Sequence, residues 1–336
     1  MQAIRRIITA IFVVLAVTGY SQVPDTETFS LQDAVDEVNP SSDDLVTCFN
    51  ESVINGYDPD YIPSGFDPDA SDKSGYELYY FRNYCGPWNV RCYSYVQDIS
   101  SYGKVRAVFF KPDGTEMYEG YNPLSGNSQV IEYNLSTAWD ISTASVADSF
   151  ETEITKTSGL YIGDNGTKMY DTGYETDYIY QYTLVKAWEV WSASKDAIHF
   201  VDTPSPADVQ FKPDGTEMYV LGSDETGSGV YQYNLSTAWD INSASFDVSL
   251  TPVQGGASSR GIYFKDDGTR MFEVDHSDNI IYQYNLSVSW DVSSASVVDS
   301  ININNNSPRP QGIYVKDDGT RLFIGDLEKL IIEYEN

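Results

Sequence analysis

A short motif that returns five times constrains this chain's fold more than any other feature. It reads KPDGTE at Lys111, GDNGTK at Gly163, KPDGTE at Lys212, and KDDGTR at Lys265 and Lys316. The turn glycines Gly114, Gly166, Gly215, Gly268 and Gly319 are spaced by 52, 49, 53 and 51 residues. Self-similarity at a fixed period of this size marks a stacked repeat or a propeller, because a single unit cannot bury its apolar face alone.

Each unit has the same internal grammar. An alternating apolar run such as Val209-Gln210-Phe211 leads into the Asp-Gly turn, a strong hairpin signal because Gly takes φ > 0 and Asp bonds nearby backbone. A second strand follows (Met218-Tyr219), then a variable loop and a third strand (Val230 to Tyr233). A loop carrying Trp139, Trp188, Trp239 or Trp290 precedes a fourth, Ser/Ala/Val-rich strand, as at Ala144 to Phe150. Four short strands in about 50 residues make one propeller blade. The fold class expected is all-β: a five-bladed β-propeller over residues 93–336. The fifth unit reaches Asn336 after three strands, while Tyr93 to Ser100 is an orphan alternating strand ahead of the first unit. Pairing it with Tyr334's strand would remove both open edges and close the ring.

The stretch Phe211-Lys212-Pro213-Asp214-Gly215-Thr216-Glu217-Met218-Tyr219-Val220 and its cognates resemble the Pro-Asp-Gly class of propellers, with its TolB-like, surface-layer and lactonase-like members. The resemblance covers about residues 93 to 336 and implies the fold; propellers host many unrelated activities, so it implies no single function.

Residues 1–21 read as a secretory signal: Arg5 and Arg6, the apolar run Ile7 to Val17, then small residues before Gln22. The run is too short for an ordinary membrane span, so no membrane insertion is expected after cleavage. Residues 22–92 form an acidic N-terminal module and linker, with short helices near Leu31 and Leu45 and an Asp/Pro/Gly/Ser-rich stretch from Tyr57 to Ser74. Thr26 to Asp33, Asp44-Leu45 and Phe81 to Tyr84 are similar to the N-terminal module of some bacteriophage structural and tail-associated proteins, which implies a place on a virion. The secretory signal departs from that pattern. A net charge of −30 disfavours nucleic acid and anionic membrane surfaces as partners and suits a secreted or cell-surface location. Three cysteines are too few for a disulfide scaffold; Cys85 and Cys92 leave a local bridge open, with Cys48 as a small buried hydrophobe.

Five like blades present five like groups, so the positions that break the repeat carry the information about a site. Eight residues before the turn glycine stand Arg106, Ser158, Ala207, Arg260 and Gln311; one residue later stand Ala107, Gly159, Asp208, Gly261 and Gly312. Arg106, Asp208, Arg260 and Gln311 are expected at a channel mouth gripping a polar ligand. Five residues after the glycine stand Glu119, Asp171, Val220, Glu273 and Ile324. Glu119, Asp171 and Glu273, with Asp208, are the candidate ligands for Ca2+, which takes several carboxylate oxygens; no other cofactor is expected. The repeated tryptophans are expected to pack between blades, and the unrepeated Trp88, Trp191, Tyr121 and Tyr174 to form an exposed recognition surface. His199 and His276 lack metal-ligand spacing and give little material for a nucleophile triad. The Asn-Leu-Ser sequons at Asn134, Asn234 and Asn285 recur with the repeat and read as strand ends.

These features favour an exported, non-enzymatic binding or structural propeller whose partner is a glycan or a surface protein met through its loops. The N-terminal resemblance offers a virion-associated receptor-binding protein instead. The enzyme alternative is a glycosidase or lactonase, which requires two carboxylates about 5 to 10 Å apart near the axis.

Overall fold

Each repeat unit folds as its alternation dictates, with a hairpin across the Asp-Gly turn and two further antiparallel strands added outward. The computed structural model describes residues 87–101, 103–123, 125–173, 175–201, 205–224, 227–251, 253–254, 256–328 and 330–336. The chain enters the propeller with β1 (Ser94–Ser100). Blade 1 is β2 (Lys104–Phe110), β3 (Glu116–Asn122), β4 (Gln129–Leu135) and β5 (Ala144–Glu151). Blade 2 is β6 (Thr157–Gly163), β7 (Lys168–Gly173), β8 (Tyr178–Leu184) and β9 (Ala193–Phe200). Blade 3 is β10 (Pro206–Phe211), β11 (Glu217–Asp224), β12 (Gly227–Leu235) and β13 (Ala244–Leu250). Blade 4 is β14 (Ser259–Phe264), β15 (Arg270–Asp275), β16 (Ile280–Leu286) and β17 (Ala295–Asn302). Blade 5 joins β18 (Pro310–Val315), β19 (Arg321–Asp326) and β20 (Leu330–Glu335) to β1 as its fourth strand. The first strands neighbour one another in the order β2, β6, β10, β14, β18 and back to β2, so the blades form a ring about a central axis.

The turn and the tryptophan of each blade are one device. Asp214 Oδ1 accepts the Thr216 N–H at 3.0 Å and its hydroxyl at 2.5 Å, and Asp113, Asp267 and Asp318 repeat the arrangement. Gly215 has φ +72, and a Cβ there would lie 2.3 Å from the Trp239 ring, so both conformation and space demand glycine. Trp239 itself has φ 65 and donates its N–H to Gly215 O at 3.0 Å. Trp88 does the same to Gly319 O at 3.2 Å with φ 71. It is therefore the fifth repeated tryptophan rather than an unrepeated loop aromatic, a correction to the expectation above. The propeller unit accordingly begins at Pro87.

Each tryptophan also packs against the preceding blade, as expected. Trp139 stacks within 6.3 Å of Phe323, and Trp239 within 6.4 Å of Tyr161. Its backbone carbonyl is held from that same blade. Tyr118, Tyr170 and Tyr219 donate their hydroxyls to the carbonyls of Trp188, Trp239 and Trp290 at 2.8, 2.7 and 2.8 Å. Blades 4 and 5 carry Phe272 and Phe323 there, and Arg270 and Arg321 donate to the Trp88 and Trp139 carbonyls at 2.9 and 2.8 Å instead. The motif's drift from Glu-Met-Tyr to Arg-Met-Phe and Arg-Leu-Phe thus preserves one bond between blades.

Closure follows the expected route. β1 pairs antiparallel with β20, Tyr95 opposite Tyr334, and Tyr93 donates its hydroxyl to Gly319 O at 2.7 Å. Gln97 Nε2 bridges Glu333 at 2.7 Å and Asp140 of blade 1 at 3.0 Å. One edge disappears rather than both, because β1 becomes an outer strand with Tyr95 and Val96 exposed. Asn134, Asn234 and Asn285 are exposed near the ends of third strands, as expected of repeat positions. The signal segment, the N-terminal module up to residue 86 and Cys85 lie outside the described residues; Cys92 is buried.

Candidate ligand-binding site at one end of the axis

The axis is narrow because the first strands almost touch. A Cβ on Gly159 would lie 2.6 Å from Asp208 Cα, and one on Gly312 would lie 2.8 Å from Ala107 Cα. Asp208 is the one charged residue in this column and fills the space its glycine neighbours leave. It is 4% exposed; Oδ1 accepts the Val209 N–H at 2.8 Å and Oδ2 the Ile262 N–H of blade 4 at 2.9 Å. Burial pushes its carboxyl up to about 8, with the two N–H bonds pulling the other way. Both oxygens are committed to backbone, so Asp208 is a strut between blades and not a group at the mouth, contrary to expectation.

One residue nearer the end where the first strands begin, the remaining expected residues do meet. Arg106 Nη1 donates to Gln311 Oε1 at 2.7 Å. Gln311 Nε2 donates to Pro310 O at 2.6 Å and lies 2.7 Å from His276 Nδ1. His276 Nδ1 also lies 3.1 Å from Pro310 O, so it sits between an amide donor and a carbonyl acceptor and serves one or the other according to its tautomer. Burial holds His276 below its ordinary value against the raising effect of the Pro310 carbonyl, and the guanidinium charges of Arg260, Arg309 and Arg106 lower it further. The charges of three arginines therefore act on one imidazole. Arg260 Nη1 donates to Ser259 O at 2.8 Å, and Arg309 faces Glu328 at 3.5 Å. The corresponding positions of blades 2 and 3 are Ser158, which donates to Pro206 O at 2.8 Å, and Ala207. Arginines thus stand at this end on blades 4, 5 and 1, where blades 2 and 3 have none. Of the expected residues Arg106 and Gln311 meet, and Arg260 acts on the same imidazole as they do; His276 and Arg309 were not foreseen. Both lie in connections outside the repeat, so only their unlikeness to the other blades could have marked them.

The expected cation set does not gather. Among the described residues no three Asp, Glu, His or Cys side chains form a metal-sized group. Glu119, Asp171 and Glu273 lie on second strands, away from the axis, and are fully buried. Glu119 accepts from Ser101 and, at 2.7 Å, from the Tyr133 hydroxyl. Asp171 accepts from Thr157, and Glu273 from Ser259 and Tyr284. Where the blade has Pro206 or Pro310 in place of Thr157 and Ser259, the partner is Val220 or Ile324. In blade 1 the position is Val105 and Ser101 supplies the hydroxyl to Glu119; in the other blades hydroxyl goes with carboxyl and proline with aliphatic, so this column is an internal packing choice made blade by blade.

Nor do the expected recognition aromatics share a surface. Trp191 is 54% exposed, with its indole N–H on Glu189 at 2.9 Å. Tyr121 is not in a loop: it belongs to β3, half-buried, and its hydroxyl donates to Gln129 at 3.1 Å. Tyr174 lies outside the described residues.

No protein-family model and no curated protein matches this sequence. The structure is similar to a functionally unknown protein from Desulfotomaculum acetoxidans (12% identity, TM-score 0.42, 68% of this chain and 64% of that one). It is similar to a protein from Lactobacillus plantarum (15%, 0.42, 66% and 63%). A third similar structure is a Bacteroides fragilis protein provisionally named a 6-phosphogluconolactonase (13%, 0.41, 65% and 63%). The chain thus spans slightly less than two thirds of the length of each. The likeness is one of fold.

Proposed function

We propose that this propeller is an exported binding module that holds an anionic group of its ligand, such as the carboxylate or sulfate of an acidic glycan, where the first strands begin. The observation that carries this reading is the Arg106–Gln311–His276 chain with Arg260 and Arg309 beside it. Concentrating guanidinium charge at one narrow mouth of a chain with net charge −30 costs mutual repulsion, and a bound anion relieves it. Guanidinium forks suit planar oxyanions, and the His276 imidazole beside them adds a further polar ring nitrogen. Asp208 supports binding over hydrolysis, since the axial carboxyl that glycosidase chemistry would call on has both oxygens bonded to backbone.

The test is a glycan array probed with wild type and with Arg106→Ala/Arg260→Ala. Retention of carboxylated or sulfated glycans, weakened at least tenfold in the variant, is the expected result. Selective retention of neutral glycans, or hydrolysis of a glycoside or lactone panel lost on Asp208→Asn, would overturn the reading.

A further inference from the structure

The opposite end of the axis, where the Asp-Gly turns lie, has a different chemistry. Five residues before the turn glycine stand Phe109, Tyr161, Gln210, Tyr263 and Tyr314, one from each blade. Their rings meet about the axis: Tyr263 lies 5.3 Å from Tyr314, and Phe109 lies 5.4 Å from both Tyr314 and Tyr161. Tyr263 and Tyr314 are 5% exposed and Gln210 is 8% exposed. Among the described residues, none donates to or accepts from the Tyr263 hydroxyl, the Tyr314 hydroxyl or the Gln210 carboxamide. The side chains are nine-tenths buried but their polar tips are not sealed in, so three donor or acceptor groups are presented together at this end of the axis.

Two carboxylates belong to the turns that follow this collar. The turn sequence is Lys-Pro-Asp-Gly-Thr in blades 1 and 3 but Lys-Asp-Asp-Gly-Thr in blades 4 and 5, so Asp266 and Asp317 replace Pro112 and Pro213. The turn does not need them, because Asp267 and Asp318 bond the following threonines and pair with Lys265 and Lys316. Asp266 and Asp317 make no ion pair among the described residues. Both act electrostatically on the hydroxyls of Tyr161, Tyr263 and Tyr314, which come from three blades. Solvent reaches them, yet the protein around them still strips hydration: burial and then Asp266 push Asp317 up to about 6.

We propose that this mouth is a second site, one that recognises a primary ammonium group such as a lysine side chain or a polyamine end through Asp266, Asp317, Tyr263, Tyr314 and Gln210. An ammonium has three donors and no acceptor, which suits two carboxylates and a phenol or carboxamide oxygen. The aromatic collar beneath adds attraction for the cation. A hard divalent ion fits less well, because it takes six to eight oxygens and here meets two carboxylates among neutral groups. The site is independent of the arginine mouth at the other end.

The test is an NMR titration of the full chain with Nα-acetyl-lysine methyl ester, with Nα-acetyl-norleucine methyl ester as the uncharged control and CaCl2 as the competitor. Saturable shifts of tyrosine ring signals are expected with the lysine ester only. Asp266→Asn/Asp317→Asn should weaken binding at least tenfold and Tyr263→Phe/Tyr314→Phe about threefold, at unchanged melting temperature. Arg106→Ala should leave it intact, which separates this site from the one proposed for anions. The proposal is overturned by absent binding, by equal binding of the two esters, or by equal binding in the Asp266→Asn/Asp317→Asn variant. Calcium that binds and displaces the ester at lower concentration would make the mouth a metal site instead.

Discussion

The rim of this propeller and its axis were built from the same repeat, yet they obey different rules. At the rim, all five blades set a tryptophan of positive φ on a turn glycine and bond its carbonyl from the blade before. When Tyr118's counterpart becomes Phe323, Arg321 restores the lost bond, so the variation is compensated within the seam. At the axis, Arg106, Gln311 and His276 join three blades, and blades 2 and 3 contribute nothing equivalent. Compensated irregularity is packing. Irregularity that accumulates one kind of charge at one place, without a counterpart in the repeat, is the mark of a site.

The largest expected effect tests the rim. Deleting residues 93–100 removes β1, exposes the edge of β20 and breaks the Tyr93 and Gln97 links, at a cost of several kcal/mol. Loss of cooperative unfolding, or a large fall in melting temperature, is expected; an unchanged melting temperature would break the closure account.

A smaller effect should appear with pH, because the interior of the propeller holds acids in their neutral form. Asp208 and Asp171 ionise near 3.8 when unfolded, whereas burial moves them to about 8 and about 7 in the folded chain. The folded state thus keeps protons the unfolded chain has released. This contribution to stability is whole below about pH 4 and is lost as pH rises through 7 and 8. The melting temperature should be higher at pH 5 than at pH 9, by on the order of 5 °C. A flat profile would mean that these carboxyls are hydrated.

How much of this was legible in the sequence depended on whether a residue repeats. The period, the strand order, the closing strand and the tryptophan seams all showed because each recurs or leaves a remainder. Trp88 was misread because its blade is split across the chain, which places it far in sequence from the Gly319 it covers. Glu119, Asp171 and Glu273 were misread for another reason. Sharing a register position puts residues at equal radius from the axis, not together, and each found a hydroxyl in its own blade. Asp208 looked like a mouth residue because strand position does not reveal that glycine neighbours leave room for its side chain to turn inward. His276 and Arg309 lie in connections where no repeat exists to be broken.

The finest distinction between compensated and uncompensated positions lies in two tyrosines. Tyr284 gives its hydroxyl to Glu273, whereas Tyr334, facing a blade with Ile324, has a buried hydroxyl with no partner. Tyr284→Phe should cost about 1–3 kcal/mol, and Tyr334→Phe should be neutral or stabilising by about 1 kcal/mol, in chemical denaturation. Equal losses in both would contradict the reading of that column as paired packing.

The central claim is that the arginine mouth binds an anion, and the chain's two histidines allow it to be tested within one sample. His276 lies in that mouth, bonded to Gln311, while His199 lies on the outer strand β9 of blade 2. Sulfate titrated into the protein and followed by histidine NMR should shift the His276 ring signals saturably and raise its pKa, while those of His199 stay in place. Arg106→Ala should abolish the His276 response. Two histidines that do not respond, or that drift together with ionic strength, would contradict the account.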